Sequence, residues 1–290
     1  MYIYSEKYVM DWGRHVFPTN KTELLYQRII KEGYSVIEPV SATEDELLLV
    51  HTRRYLQKLN ELAENNEVYA EIPLTKDIIN GLYLVTGGSI LTIKEALKNG
   101  SAVNLLGGFH HAFSDYGEGF CLINDMAVAI RVAKKESLIT KAVVIDCDLH
   151  QGNGTARIFQ RDPNVFTFSI HQENNYPDIK MKSDIDIGLD DFTGDNEYLE
   201  KLEAVVPKIL DEQKPDVVIY QAGADPFEDD QLGGLKLTKE GLKRRDRLIF
   251  ENSFSRNVPV AVFTGGGYAR KVEDDVDIHF NTIKVLNETI

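Results

Sequence analysis

The chain has 290 residues, 43% of them hydrophobic and 27% charged, with a formal net charge of −14. That balance supplies a large soluble core, in one large α/β domain or two smaller ones, and contains no run of about 18 apolar residues that would read as a membrane span. It argues against nucleic acid as a direct partner, because phosphates need a basic surface.

The opening stretch MYIYSEKYVMDWGRHVF lacks the basic start and apolar middle of a secretory leader, and no repeat, low-complexity segment or Pro/Ser-rich linker follows. Ser41 or Thr43 can cap a helix running to about residue 64, with Glu44 or Glu46 three residues on. A second helix is expected from about 77 to 98, then a strand over SAVNLLGG (101–108) and a helix from about 121 to 136. KAVVIDCD reads as a strand, TARIFQR as a short helix and VFTFSI (165–170) as a strand. Residues 195 to 213 carry Leu199, Leu202, Val205, Val206 and Ile209 at helical spacing. PDVVIYQAG is a strand, 238 to 253 a helix behind Thr238, VPVAVFTGGG a strand and 272 to 287 a last helix.

Continuous apolar strands alternating with helices indicate a parallel sheet covered on both faces, and in such sheets ligands bind beyond the carboxyl ends of the strands. Five predicted strands end in polar, ligand-type residues: FHH after SAVNLLGG, CDLHQGNG after VVID, HQENNYP after FTFSI, AD after VVIYQAG and Tyr268 after VAVFTGGG. Their convergence on one rim predicts a single site.

Asp148 and His150, at alternate positions of an extended segment, point the same way and can grip one cation. Asp225, from another strand end, supplies a third ligand. Two carboxylates and an imidazole leave a fourth position open, the form of a catalytic zinc site. Asp146 lies behind them, either as support or as a ligand for another ion. His110 and His111 can line the same pocket as base and acid. Tyr268, after three glycines, can donate to a developing oxyanion. No G-x-S-x-G elbow and no phosphate-binding G-x-x-x-x-G-K-[ST] occurs. The only two cysteines, Cys121 and Cys147, read as small core residues rather than nucleophiles, and so few suit a reducing cytoplasm.

Taken together, GGFHHAFSDYGEGFCLINDMAVAI, VVIDCDLHQGNGTARIF, YQAGADPFEDDQLGGL and TGGGY resemble the histone deacetylase superfamily, and HVFPTNK and EDELLLVHTRRYL extend the likeness over nearly the whole chain. The details are most similar to the class IV branch and its bacterial relatives. The resemblance implies a three-layer αβα fold with a mostly parallel central sheet, arginase- and deacetylase-like, and one zinc-dependent deacylase domain over 1–290. It implies one Zn²⁺ on Asp148, His150 and Asp225, His111 as general base and acid, His110 as its electrostatic partner oriented by Asp146, and Tyr268 polarising the acyl carbonyl. Phe120 and Tyr176 become walls of an acyl-lysine tunnel and Gly119 a backbone contact within it. Asp146, Asp148, His150, Ser169 and Ile170 match an inner potassium site, and Phe159, Asp162 and Val165 part of an outer one. The stretch SIHQENNYPDIKMKSDIDIGL is expected to form the tunnel rim.

Asn153 stands where class I relatives carry Asp, which predicts that His111 holds a proton less readily. The implied substrate is an acylated lysine side chain of a peptide or protein, and the runner-up an acylated polyamine. Ureohydrolases share the implied fold but need a carboxylate where Gly152 stands, which favours one metal. A non-catalytic acyl-lysine-binding protein would be expected to lack a ligand, a histidine or the tyrosine, and all are present.

Overall fold

The structure, a computed structural model, describes residues 1–290. In chain order the first half contains β1 (Tyr2–Ile3), α1 (Lys21–Lys31), β2 (Val36–Ile37), α2 (Glu44–Leu47), α3 (Arg53–Glu64), β3 (Val68–Tyr69), β4 (Ile72–Pro73), α4 (Lys76–Asn99), β5 (Ser101–Asn104) and α5 (Asp125–Lys135). The second half contains β6 (Ala142–Asp146), α6 (Asn153–Phe159), β7 (Val165–Gln172), β8 (Ile185–Leu189), α7 (Asp195–Gln213), β9 (Val217–Gln221), α8 (Lys239–Phe254), β10 (Val260–Phe263) and α9 (Val272–Thr289).

Eight strands form one sheet in the order β2-β1-β5-β10-β9-β6-β7-β8, and its pairings are parallel throughout. The short β3–β4 hairpin is antiparallel and stands apart. The central strands β5, β6, β9 and β10 are buried along their whole length, which is why their sequences are unbroken apolar runs. Helices α3, α4 and α5 pack on one another as one layer, and α1, α7, α8 and α9 as the other, giving the expected αβα arrangement. A single cluster of 84 buried residues runs through both layers.

Several expected boundaries move. The helix expected up to residue 64 is two helices. Thr43 forms a capping box with Glu46 at the first, and Thr52, in extended conformation, accepts from Tyr55 N–H to start the second. Thr52 N–H donates to Ser114 O, so the break is fixed by a contact distant in sequence. The helix expected from 121 starts at Asp125, capped by Asn124, whose side chain accepts from Ala127 N–H. The strand expected over 101–108 ends at Asn104, and the chain then turns through Gly107 (φ 153°) and Gly108 (φ 84°). Strands β1, β2 and β8 and helix α1 were not expected, and β8 lies inside the stretch assigned to the tunnel rim.

Candidate active site

The adjacent strands β5, β10, β9 and β6 end on one rim, and the loops that leave them carry His110 and His111, Tyr268, Asp225, and Asp148 with His150. β6 ends at Asp146, so Asp148 and His150 are not alternate positions of a strand, as the spacing suggested. They converge because Asp148 Oδ1 accepts the His150 backbone N–H at 3.0 Å, closing a turn.

Asp148, His150 and Asp225 are buried, and one ligand atom from each lies within 4.8 Å of the others. His150 Nδ1 sits 3.2 Å from Asp148 Oδ1 and 3.3 Å from Asp225 Oδ2. Asp225 Oδ1 accepts Leu149 N–H at 2.9 Å, but Asp225 Oδ2 has no hydrogen-bond partner. A buried carboxylate oxygen without a donor is costly, and a cation between these three side chains satisfies it. Backbone crowds close: a Cβ on Gly266 would meet Asp225 Oδ2 at 2.2 Å and Asp148 Oδ2 at 2.7 Å. The set fits a divalent ion with N/O ligands and an open position. In its metal-free form the set holds a proton. Burial lowers the His150 pKa, but the adjacent carboxylates of Asp148 and Asp225 outweigh it and raise it to about 10. Burial and the Asp148 charge raise Asp225 to about 6.

The two adjacent histidines have rings 4.1 Å apart and opposite partners. His110 Nδ1 donates to Asp146 Oδ2 at 2.7 Å. Burial opposes its charge, yet Asp146 and Asp148 raise its pKa to about 9. His111 Nδ1 faces Asn153 Oδ1 at 2.8 Å, and burial together with the charges of His110 and His150 holds its pKa well below the usual histidine range. The two environments push the imidazoles in opposite directions, His110 toward the charged form and His111 toward the neutral one.

Tyr268 is buried with its ring 6.3 Å from that of His150 and 6.1 Å from that of Phe120. Burial and the Asp225 and Asp148 charges raise its phenol pKa well above the usual value, so it remains a donor. Tyr176 packs edge-on to His111 at 4.9 Å. Gly119 (φ 54°) and Phe120 (φ 65°) turn the chain through left-handed conformation between them. A Cβ on Gly119 would meet both His111 Cδ2 and Tyr176 Cε1 at 2.7 Å, so only glycine lets this backbone approach. A narrow cavity of about 20 Å³, lined by His110, His111, Phe120, Asp148, Gly266 and Tyr268 among others, has room for about one water molecule. A wider surface groove, about 1120 Å³ at the start of α4, contains none of these residues.

The potassium candidates are placed less simply. Asp146 and Ser169 are register partners across β6 and β7, with Ile170 beside them, but Ser169 Oγ is paired with His171 Nδ1 at 2.9 Å. Phe159 and Val165 end α6 and start β7. Between them, the Asp162 carboxylate is taken by Lys134 and Arg131, so a cation there would rest on backbone carbonyls.

Four supporting residues were not singled out from sequence. Lys21, fully buried, donates from Nζ to the carbonyls of Gly265 (3.0 Å) and Gly267 (3.3 Å). Asp230 Oδ2 accepts the Tyr268 N–H at 2.8 Å. Arg245, fully buried on α8, donates to Gly223 O at 2.7 Å and Cys147 O at 3.3 Å, tying together the two loops that carry the acidic ligands. Glu118 accepts from Asn153 Nδ2 at 2.5 Å. The only sequence signal for Lys21 and Arg245 was a charge within or beside a recognised motif, which solvated positions share.

A family described as "Histone deacetylase domain" matches residues 15–283. An uncharacterized protein of Picosynechococcus is 39% identical over 91% of this chain and 90% of its own length. Histone deacetylase 2 of Arabidopsis thaliana is 30% identical over 95% of this chain and 77% of its own. Acetoin utilization protein AcuC of Staphylococcus aureus is 28% identical over 92% and 76%. The crystal structure of the HDA15 HD domain shares the fold, with a TM-score of 0.86 at 22% identity, covering 99% of this chain and 90% of that one.

Proposed function

The chain belongs to the histone deacetylase family, and from that membership we propose that it hydrolyses N-acyl-lysine amides with one Zn²⁺ held by Asp148, His150 and Asp225. The observation that carries the proposal is the buried ligand triad set beside two adjacent histidines, one facing the Asp146 carboxylate and the other the Asn153 amide. The whole of 1–290 acts as one deacylase unit, most like the class IV branch.

When bound, the ion polarises the acyl carbonyl and lowers the pKa of its water. Neutral His111 takes the water proton at Nε2 and returns it to the departing ε-amine. His110, kept charged by Asp146, adds positive potential without exchanging its proton. The Tyr268 hydroxyl donates to the acyl oxygen as negative charge develops. Phe120, Tyr176 and the Gly119 backbone guide the acyl-lysine chain. A structural K⁺ held by Asp146, Asp148, His150, Ser169 and Ile170, and a second one near Phe159, Asp162 and Val165, belong to the same reading. So does a reducing, cytoplasmic setting, which suits two free, buried cysteines.

A second reading, acetylpolyamine hydrolysis, is supported by two carboxylates, Glu118 and Glu71, near Tyr176. Beyond burial, Glu118 and Glu71 contribute to the raised pKa of the Tyr176 phenol, and the same carboxylates suit a cationic substrate. The deciding experiment is kcat/KM of zinc-loaded protein on one lysine peptide carrying acetyl, octanoyl or myristoyl, with acetylspermidine alongside. Turnover of an acyl-lysine supports the first reading, and exclusive turnover of acetylspermidine replaces it with the second.

A further inference from the structure

Asn153 can present either of two faces to His111, because an amide offers an oxygen at one end and two hydrogens at the other. Two contacts decide which. Gly154 N–H donates to Asn153 Oδ1 at 3.0 Å, and Asn153 Nδ2 donates to Glu118 Oε1 at 2.5 Å. An ionised carboxylate only accepts, so it holds Nδ2 on its own side and leaves Oδ1 toward His111. Oδ1 also only accepts. The His111 nitrogen facing it at 2.8 Å, Nδ1, must therefore carry the hydrogen, which leaves the lone pair on Nε2 at the opposite edge of the ring.

We propose that Glu118 is a positioning residue that sets the tautomer of His111 through Asn153. Its carboxylate stands one residue further out than an acid in direct contact with the imidazole would. The neutral amide relays its acceptor character without placing a second negative charge against His111. The turn through Gly119 and Phe120, with Cys121 N–H donating to Glu118 O at 2.9 Å, fixes where that carboxylate sits.

The relay is tested on metal-loaded protein with ¹⁵N-labelled histidine, assigning His111 by the signals lost in His111→Ala. Wild type is expected to show a protonated Nδ1 and an unprotonated Nε2. In Glu118→Gln the side-chain amide can donate as well as accept, so only Gly154 N–H still holds Asn153 Oδ1 toward His111. Both His111 nitrogens should then shift toward intermediate values. The consequence for rate rests on the deacylase reading: kcat on an acyl-lysine peptide falls about tenfold, the scale of lost support behind a reacting group, with KM nearly unchanged. In an Asn153→Ala background the relay is already cut, and adding Glu118→Gln changes neither the His111 spectrum nor kcat further. An unaltered His111 spectrum in Glu118→Gln, or an equal loss of kcat in both backgrounds, overturns the proposal. Absence of turnover in wild type counts against the deacylase reading alone, since the spectrum reports the tautomer without catalysis.

Discussion

Asp230 and Tyr268 are joined through the backbone: the Asp230 carboxylate accepts the Tyr268 N–H at 2.8 Å, while its other oxygen accepts Leu232 N–H at 2.8 Å. The loop after β9 thereby holds the loop after β10, and the tyrosine hydroxyl inherits its position from an acid outside the reacting group. Replacing Asp230 by Ala leaves a buried N–H without a partner, worth about 1–3 kcal/mol, and lets the loop drift. Steady-state kinetics should show kcat reduced by about 10-fold or more, the scale of a small misplacement, with KM much less affected.

Tyr268→Phe removes only the donor. It should lower kcat by about 10²–10³ while leaving the melting temperature close to that of the wild type. Unchanged kcat would remove Tyr268 from the oxyanion role.

Zinc should bind at one equivalent and displace a proton. With His150 raised to about 10 and Asp225 to about 6, the metal-free site carries one bound proton at pH 7. Titration calorimetry in buffers of different ionisation heat should therefore report release of about one proton per ion. Zinc at about 100 times its Kd should add about 2.7 kcal/mol to stability, and Asp225→Ala should abolish that gain along with the proton release.

Acid should weaken the fold through buried neutral histidines. His51 accepts Asn124 N–H at Nε2, and burial lowers its pKa to about 4 from the ordinary 6.5. Because the folded value is depressed, its contribution is full above about pH 6.5 and is lost as pH falls toward 4. Between pH 7 and pH 5 this single group removes about 2 kcal/mol. Urea unfolding of wild type and His51→Gln at both pH values isolates that share, since the other titrating groups are common to the two. An equal pH dependence in the pair would rule His51 out as the source.

The central layer and the reacting side chains were legible because each buried strand is an unbroken apolar run ending in a chemical group, as VVID ends before Asp148. The supports were not, because they act through space. Lys21 and Arg245 look in sequence like any solvated cation, and only the tertiary structure turns them onto the carbonyls of Gly265 and Gly223. Glu118 sits 35 residues from Asn153, and no spacing rule links them. β8 escaped notice because it is an edge strand with alternate positions facing solvent, and its IDIGL pattern is too short to separate from a loop. The helix break at Thr52 was hidden because Thr43 already supplied a start signal, and the second cap depends on Ser114.

The place of β10 in the sheet has a consequence for the site. Although last of the strands in chain order, it lies between β5 and β9, and so joins β2-β1-β5 to β9-β6-β7-β8. Without β10 no strand pairing would link the two groups. His110 and His111 stand on one half, and Asp148, His150 and Asp225 on the other. The strand that unites them is followed at once by Gly265, Gly266 and Tyr268, so the same segment closes the sheet and completes the candidate site. A chain ending before Val260 would carry Asp148, His150 and Asp225 but neither the strand that joins the two parts of the sheet nor the Gly265–Tyr268 wall beside them.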